Sequence, residues 1–250
     1  MAPPISLKQP KLRHDRAGEH LADIETMVKT VRSEHKIAIR QGDPDPPESV
    51  EIPAGIGDRL SVRIGEHIYN LRAALDYLIY ELSGHKRQTQ FPVEKDRNSF
   101  NSRKTGHNAA GKDVARYLHG VSTDHCRLIE SVQPYVLAPG DPDPRSSWTG
   151  LLQCLSNEDK HRQVVPLNGR TGQPITRQQV RQYPVVTVHP HYGGGGRARS
   201  RIITPPRTYV EIQVDFPVEV ALPQGLPAYQ ALQELQTEVG ALLALVERSL

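Results

Sequence analysis

The chain has 250 residues, with 31 Lys and Arg against 28 Asp and Glu, so no strong overall charge marks it out. That length suits one large domain or two small ones with a real core. Two cysteines, Cys126 and Cys154, exclude a disulfide framework, and no run approaches the ~18 apolar residues of a membrane span.

Met1 to Asp15 lacks the apolar core of a signal peptide, which predicts a soluble cytoplasmic protein with no membrane partner. A first helix is expected over residues 15–34, with Ala17, Leu21, Ile24, Val28 and Val31 on one stripe. Lys36–Arg40 and Ser49–Ile52 alternate around the turn Gly42–Pro47, which predicts a β-hairpin. The second helix, residues 59–83, carries Ile64, Ile68, Leu71, Leu75, Leu78, Ile79 and Leu82 on one face. Residues 85–112 read as a polar loop with Phe91-Pro92-Val93 as a short extended piece. Short helices are expected at 113–119 and 123–132. A further helix, capped by Ser146 or Ser147, carries Trp148, Leu151, Leu152 and Leu155. Strands follow at Pro184–Pro190, Arg199–Thr204, Tyr209–Phe216 and Val218–Leu222. Pro227 opens a last helix with Leu232, Leu235, Val239, Leu242 and Val246 inward.

This order predicts an α+β class: a bundle of four to five helices with attached antiparallel β-hairpins. The expected organisation is a single domain over 1–250, with a helical core at about 15–165 plus 226–248 and a basic β-hairpin region at 166–222.

Charge is distributed unevenly. From Lys160 to Val210 there is no Asp or Glu, but there are eight arginines, three histidines and Lys160, which favours a phosphate-bearing partner. A four-residue loop at Gly193–Gly196 would pair Tyr192 with Arg197 and put Arg197, Arg199 and Arg201 on one strand face, about 7 Å apart. Such a row can track RNA or DNA phosphates. Low aromatic content predicts little base stacking. Gly106–Asp113 matches a phosphate-binding loop except at its last position, where Asp113 replaces the Ser or Thr that holds Mg²⁺, and it reads as a chance match.

The densest functional cluster is Asn157-Glu158-Asp159-Lys160-His161-Arg162. His161 could move protons beside Arg162 and Lys160, with Arg72 as a further phosphate holder. On the second helix His67 and Arg72 lie about 140° apart, so they cannot share a ligand unaided. Asp159 falls on the apolar face of its helix and needs a cation, for which Arg72 is the structural candidate. No ligand spacing predicts a metal or cofactor.

The helix His67-Ile68-Tyr69-Asn70-Leu71-Arg72-Ala73-Ala74-Leu75-Asp76-Tyr77-Leu78, followed by Gln90-Phe91-Pro92, Gln133-Pro134-Tyr135 and Asp159-Lys160-His161-Arg162, resembles a pattern in uncharacterised actinobacterial and phage proteins. The likeness covers roughly residues 60–165 and implies no activity. A more distant likeness is to HEPN proteins, helical bundles that include metal-independent ribonucleases. Their site is Arg-x(4–6)-His, in which the His moves protons and the Arg holds phosphate. The pair at that spacing here is Arg13 with His20, at a helix start where the family's pair comes late. Together these features lead us to expect a nucleic-acid-directed protein of phage or defence type, its catalytic form a metal-independent HEPN-like ribonuclease. Its expected catalytic residues are His161, Arg162 and Arg72, and its phosphate contacts Lys160, Arg197, Arg199 and Arg201. The alternative is a non-catalytic interaction or scaffold protein with a protein partner and a structural Arg72–Asp159 pair.

Overall fold

A computed structural model describes residues 4–34, 36–40, 49–50, 54–162, 168–171, 175–183, 207–222 and 227–250, with side chains for 4–34, 55–159, 222 and 227–250. Seven α-helices lie among the described residues: α1 (Lys8–Glu34), α2 (Ala54–Leu82), α3 (Arg97–Thr105), α4 (Thr123–Ser131), α5 (Pro134–Leu137), α6 (Trp148–Arg162) and α7 (Ala228–Glu247).

Helices α1 and α2 run antiparallel. Ser6 reaches Glu81, Arg13 reaches Asn70, His67 reaches the Ala17 carbonyl and Arg63 reaches Asp23. Leu60, Ile64, Ile68, Leu71, Leu75, Leu78 and Ile79 on α2 are fully buried, as an apolar stripe at helical period must be in a packed bundle. Helix α7 lies antiparallel on α1, with Gln236 against His14 and Glu247 against Lys11. Its buried Leu232, Leu235, Val239, Leu242 and Val246 meet Ala17, Leu21 and Ile24 in the same core. Helix α6 closes the core through Leu151, Leu152 and Leu155. Its first turn is capped by Ser147, whose Oγ accepts the Gly150 N–H at 3.2 Å.

The expected α+β class, a bundle of four to five helices with attached hairpins, is corrected. The described residues are mostly helical, with seven helices among them, and no strand falls among the residues whose side chains are described. Extended backbone occurs at β1 (Lys36–Arg40), β2 (Ser49–Val50), β3 (Asn168–Thr171), β4 (Ile175–Tyr183) and β5 (Arg207–Ala221). It does not form the expected hairpin, because β1 pairs with β5 (Ile37 opposite Phe216) and β2 pairs with β3 (Val50 opposite Gly169). Local alternation marks extended backbone but does not choose its partner. The expected strands Pro184–Pro190 and Arg199–Thr204 lie outside the described residues.

Two helix expectations also change. Residues 97–105 form α3 inside the supposed loop, because caps rather than periodicity define it. The Asp96 carboxylate accepts the Ser99 N–H at 2.8 Å, Gly106 ends the helix at φ +87°, and Phe100 is its buried anchor. Residues 113–119 are not helical. They run alongside α3, with the Val114 N–H on the Gly106 carbonyl and the Leu118 N–H on the Arg103 carbonyl.

Candidate functional site

Three of the residues that carry the sequence likeness, Arg72, Asp76 and Gln133, meet around the segment 91–94. Arg72 Nη2 donates to the Phe91 carbonyl at 2.6 Å, and Asp76 Oδ1 accepts the Phe91 N–H at 2.9 Å. The two side chains stand 3.3 Å apart on successive turns of α2. Next along, Gln133 Nε2 donates to the Pro92 carbonyl at 3.0 Å, while its Oε1 accepts the Glu94 N–H at 2.9 Å. This clamp satisfies a buried stretch of backbone that has no sheet or helix partner of its own. Burial pushes the Arg72 pKa below its ordinary value, with Asp76 opposing the shift.

Arg72 is therefore a packed clamp residue, 4% exposed, rather than an open phosphate holder. It does not pair with Asp159, whose carboxylate instead lies against Gly65, about two turns before Arg72 on α2. A Cβ at position 65 would collide with Asp159 Oδ1, so glycine there lets α6 approach α2. Replacing Arg72 by Ala removes the donor from the Phe91 carbonyl and the 3.3 Å ion pair with Asp76. The expected loss is about 2 kcal/mol in urea unfolding. An unchanged urea midpoint would show that the clamp is dispensable.

The side chains of Lys160, His161 and Arg162 lie outside the described residues, although α6 carries their backbone. Arg197, Arg199 and Arg201 lie wholly outside them. Gly106–Asp113 is an exposed turn after α3, closed by His107 Nδ1 and Asp113 Oδ1 at 2.9 Å and by the Asn108 N–H on the Lys112 carbonyl. A phosphate-binding loop requires a strand before it, and here a helix precedes. Among the described residues, no group of three or more His, Cys, Asp or Glu is placed to hold a metal.

The side chains that do converge come from three helices. A cleft of about 480 Å³ is lined by Arg13, Arg16 and His20 from α1, Glu66 and Asn70 from α2, and Asp159 from α6. Arg13, Arg16 and His20 are spaced i, i+3, i+7 and so share one face of α1. Arg13 Nη1 donates to Asn70 Oδ1 at 3.3 Å, and its guanidinium stands 5.7 Å from the Tyr77 ring centre. Asn70 is held in turn by its donation to the Glu66 carbonyl at 2.8 Å. Arg16 pairs with Glu19.

His20 is 4% exposed, with Nδ1 3.4 Å from Glu66 Oε2. Arg63 Nη1 donates to that same carboxylate oxygen at 2.8 Å. Burial pushes the His20 pKa below its ordinary 6.5, against the pull of Glu66, so the ring is neutral at pH 7. The same Nδ1 also faces the Arg63 Nη1 donor at 3.5 Å, so the ring sits between a carboxylate and a guanidinium. The arrangement unites a carboxylate-oriented imidazole with two guanidiniums, groups able to move a proton beside a held anion.

Spacing alone picks out Arg13 and His20, but the sequence reading left them out of its chosen site. Glu66, Asn70 and Asp159, which complete the cleft, are brought in only by helix packing. No protein-family model matches this chain, and comparison with curated proteins and with solved structures returned no match. The resemblance over residues 60–165 thus rests on its motifs.

Proposed function

We propose that this is a nucleic-acid-directed protein of the cytoplasm that cleaves RNA without a metal, using the α1–α2–α6 cleft. The observation that carries this reading is the convergence of His20, Arg13 and Arg16 on one open polar cleft, with Glu66 against the His20 ring. In the proposed reaction the neutral His20 ring takes the proton from a ribose 2′-hydroxyl, whose oxygen then bonds to the adjacent phosphorus. The bond from phosphorus to the 5′-oxygen breaks, and that oxygen receives the proton carried by His20. Arg13 and Arg16 hold the non-bridging oxygens where charge builds up. No described helix is long and apolar enough to cross a membrane.

The test is cleavage of a labelled single-stranded RNA in EDTA by the full chain and its variants. Wild type should cut, and His20→Ala should lose roughly 100-fold or more in rate, the range for removing a general acid–base. Arg13→Ala should weaken binding as well as rate. His161→Ala, run in parallel, separates the two histidines. A His161 variant that is dead while His20→Ala is active would return the chemistry to the end of α6. RNA binding without cleavage by the wild type would favour the interaction-protein reading.

A further inference from the structure

The outer face of α2 carries an aromatic groove that adjoins the cleft. Tyr69, Ala73, Asp76, Tyr77 and Tyr80 follow one another at helical spacing and line a groove of about 320 Å³, with Arg72 at its floor. Tyr69 is 56% exposed and Tyr80 38% exposed, large values for aromatic side chains. Tyr80 already holds one flat partner, the His85 ring, stacked at 4.9 Å between centres and 9° between planes.

The groove and the cleft adjoin at Tyr69. Tyr69 borders both, and Arg13, which lines the cleft, stands over the Tyr77 ring of the groove. A ligand with an anionic backbone and flat apolar faces at a short repeat fits this juxtaposition of guanidiniums and phenol rings.

We infer that the groove seats unpaired bases, so that the substrate of the cleft is single-stranded nucleic acid. This rests on the proposed function and adds to it the substrate class. A duplex keeps its bases stacked inside and offers the tyrosines nothing to cover. Sequence composition pointed away from stacking, because aromatic residues are scarce overall (5%); the fold gathers three tyrosines on one face.

The test measures binding of the full chain to three probes of equal length at low salt: a single-stranded oligonucleotide, its duplex, and an abasic strand with the same phosphates. Wild type should bind the base-bearing single strand at least roughly 10-fold tighter than the abasic strand or the duplex. Tyr69→Ala/Tyr80→Ala should lose that preference, bind the abasic strand as wild type does, and melt at the wild-type temperature. Tyr69→Phe/Tyr80→Phe, which keeps the rings, should restore it. Duplex bound as tightly as single strand, or a double alanine variant with its preference intact, would overturn the inference and leave the catalytic reading standing. Failure of all three probes to bind would overturn both. A wild type that sediments as a dimer, with the alanine variant a monomer, would assign the face to a second copy of the chain instead.

Discussion

Gly150→Ala is expected to lower the thermal midpoint by roughly 6–12 °C, the consequence of about 3 kcal/mol of overpacking in a chain of this size. Gly150 sits in the first turn of α6, where a Cβ would run into the Pro144 carbonyl oxygen and within 3.0 Å of Ser147 Oγ. The obstacle is backbone, which cannot rotate aside as the end of a side chain can. It also belongs to the short turn Pro144–Ser146 that delivers Ser147 to cap the helix. Relieving the clash therefore moves the cap as well. Gly55→Ala supplies the control, because a Cβ there meets nothing within 4 Å. That change should be neutral or stabilise α2 by about 0.5–1 kcal/mol. A Gly150→Ala protein that melts with the wild type would refute the packing of α6 against the turn.

Acid should destabilise the bundle by about 3 kcal/mol between pH 6.5 and 4 through one histidine. His67 is fully buried where α1, α2 and α7 meet, with Nδ1 donating to the Ala17 carbonyl at 2.9 Å and the Leu232 backbone also interacting with the ring. Burial lowers its pKa from 6.5 to about 4, and His14 and His20 on α1 push the same way. In that window the unfolded chain takes up a proton that the folded chain refuses. Stability is therefore complete above pH 6.5 and falls by ~1.4 kcal/mol per pH unit towards pH 4, below which the deficit is constant. His20, whose pKa burial also lowers, adds to the same slope. Urea midpoints at pH 7, 5.5 and 4 read the effect. His67→Gln keeps a donor for the Ala17 carbonyl but cannot titrate, so its midpoints should fall less steeply. Parallel acid limbs for wild type and variant would show that His67 does not drive the loss.

Much of the helical body is legible in the sequence, because its determinants are local. The α2 stripe from Ile64 to Leu82 and the α7 stripe from Leu232 to Val246 are buried as their spacing requires. Ser147, one of two expected caps, does cap α6. Helix α3 escaped because Phe100 is its only large apolar anchor, and its Asp96 and Gly106 caps are ten residues apart in a run that reads as loop. The Lys36–Ile52 hairpin failed for the opposite reason. Its turn is written locally, but the partners β1 accepts lie near residue 215.

The Arg72 and Asp159 cluster shows the same division at the level of the site. The sequence alone determined that these residues belong to helix faces and that a carboxylate on the apolar face of α6 must be accommodated. Only the tertiary structure decided that Arg72 and Asp76 clamp Phe91, that Asp159 lies against Gly65, and that Arg13, Arg16 and His20 open on a cleft with Glu66. The reason is physical: periodicity specifies which side of a helix faces inward, but not which neighbouring helix meets it, at what height, or how closely glycine lets it come.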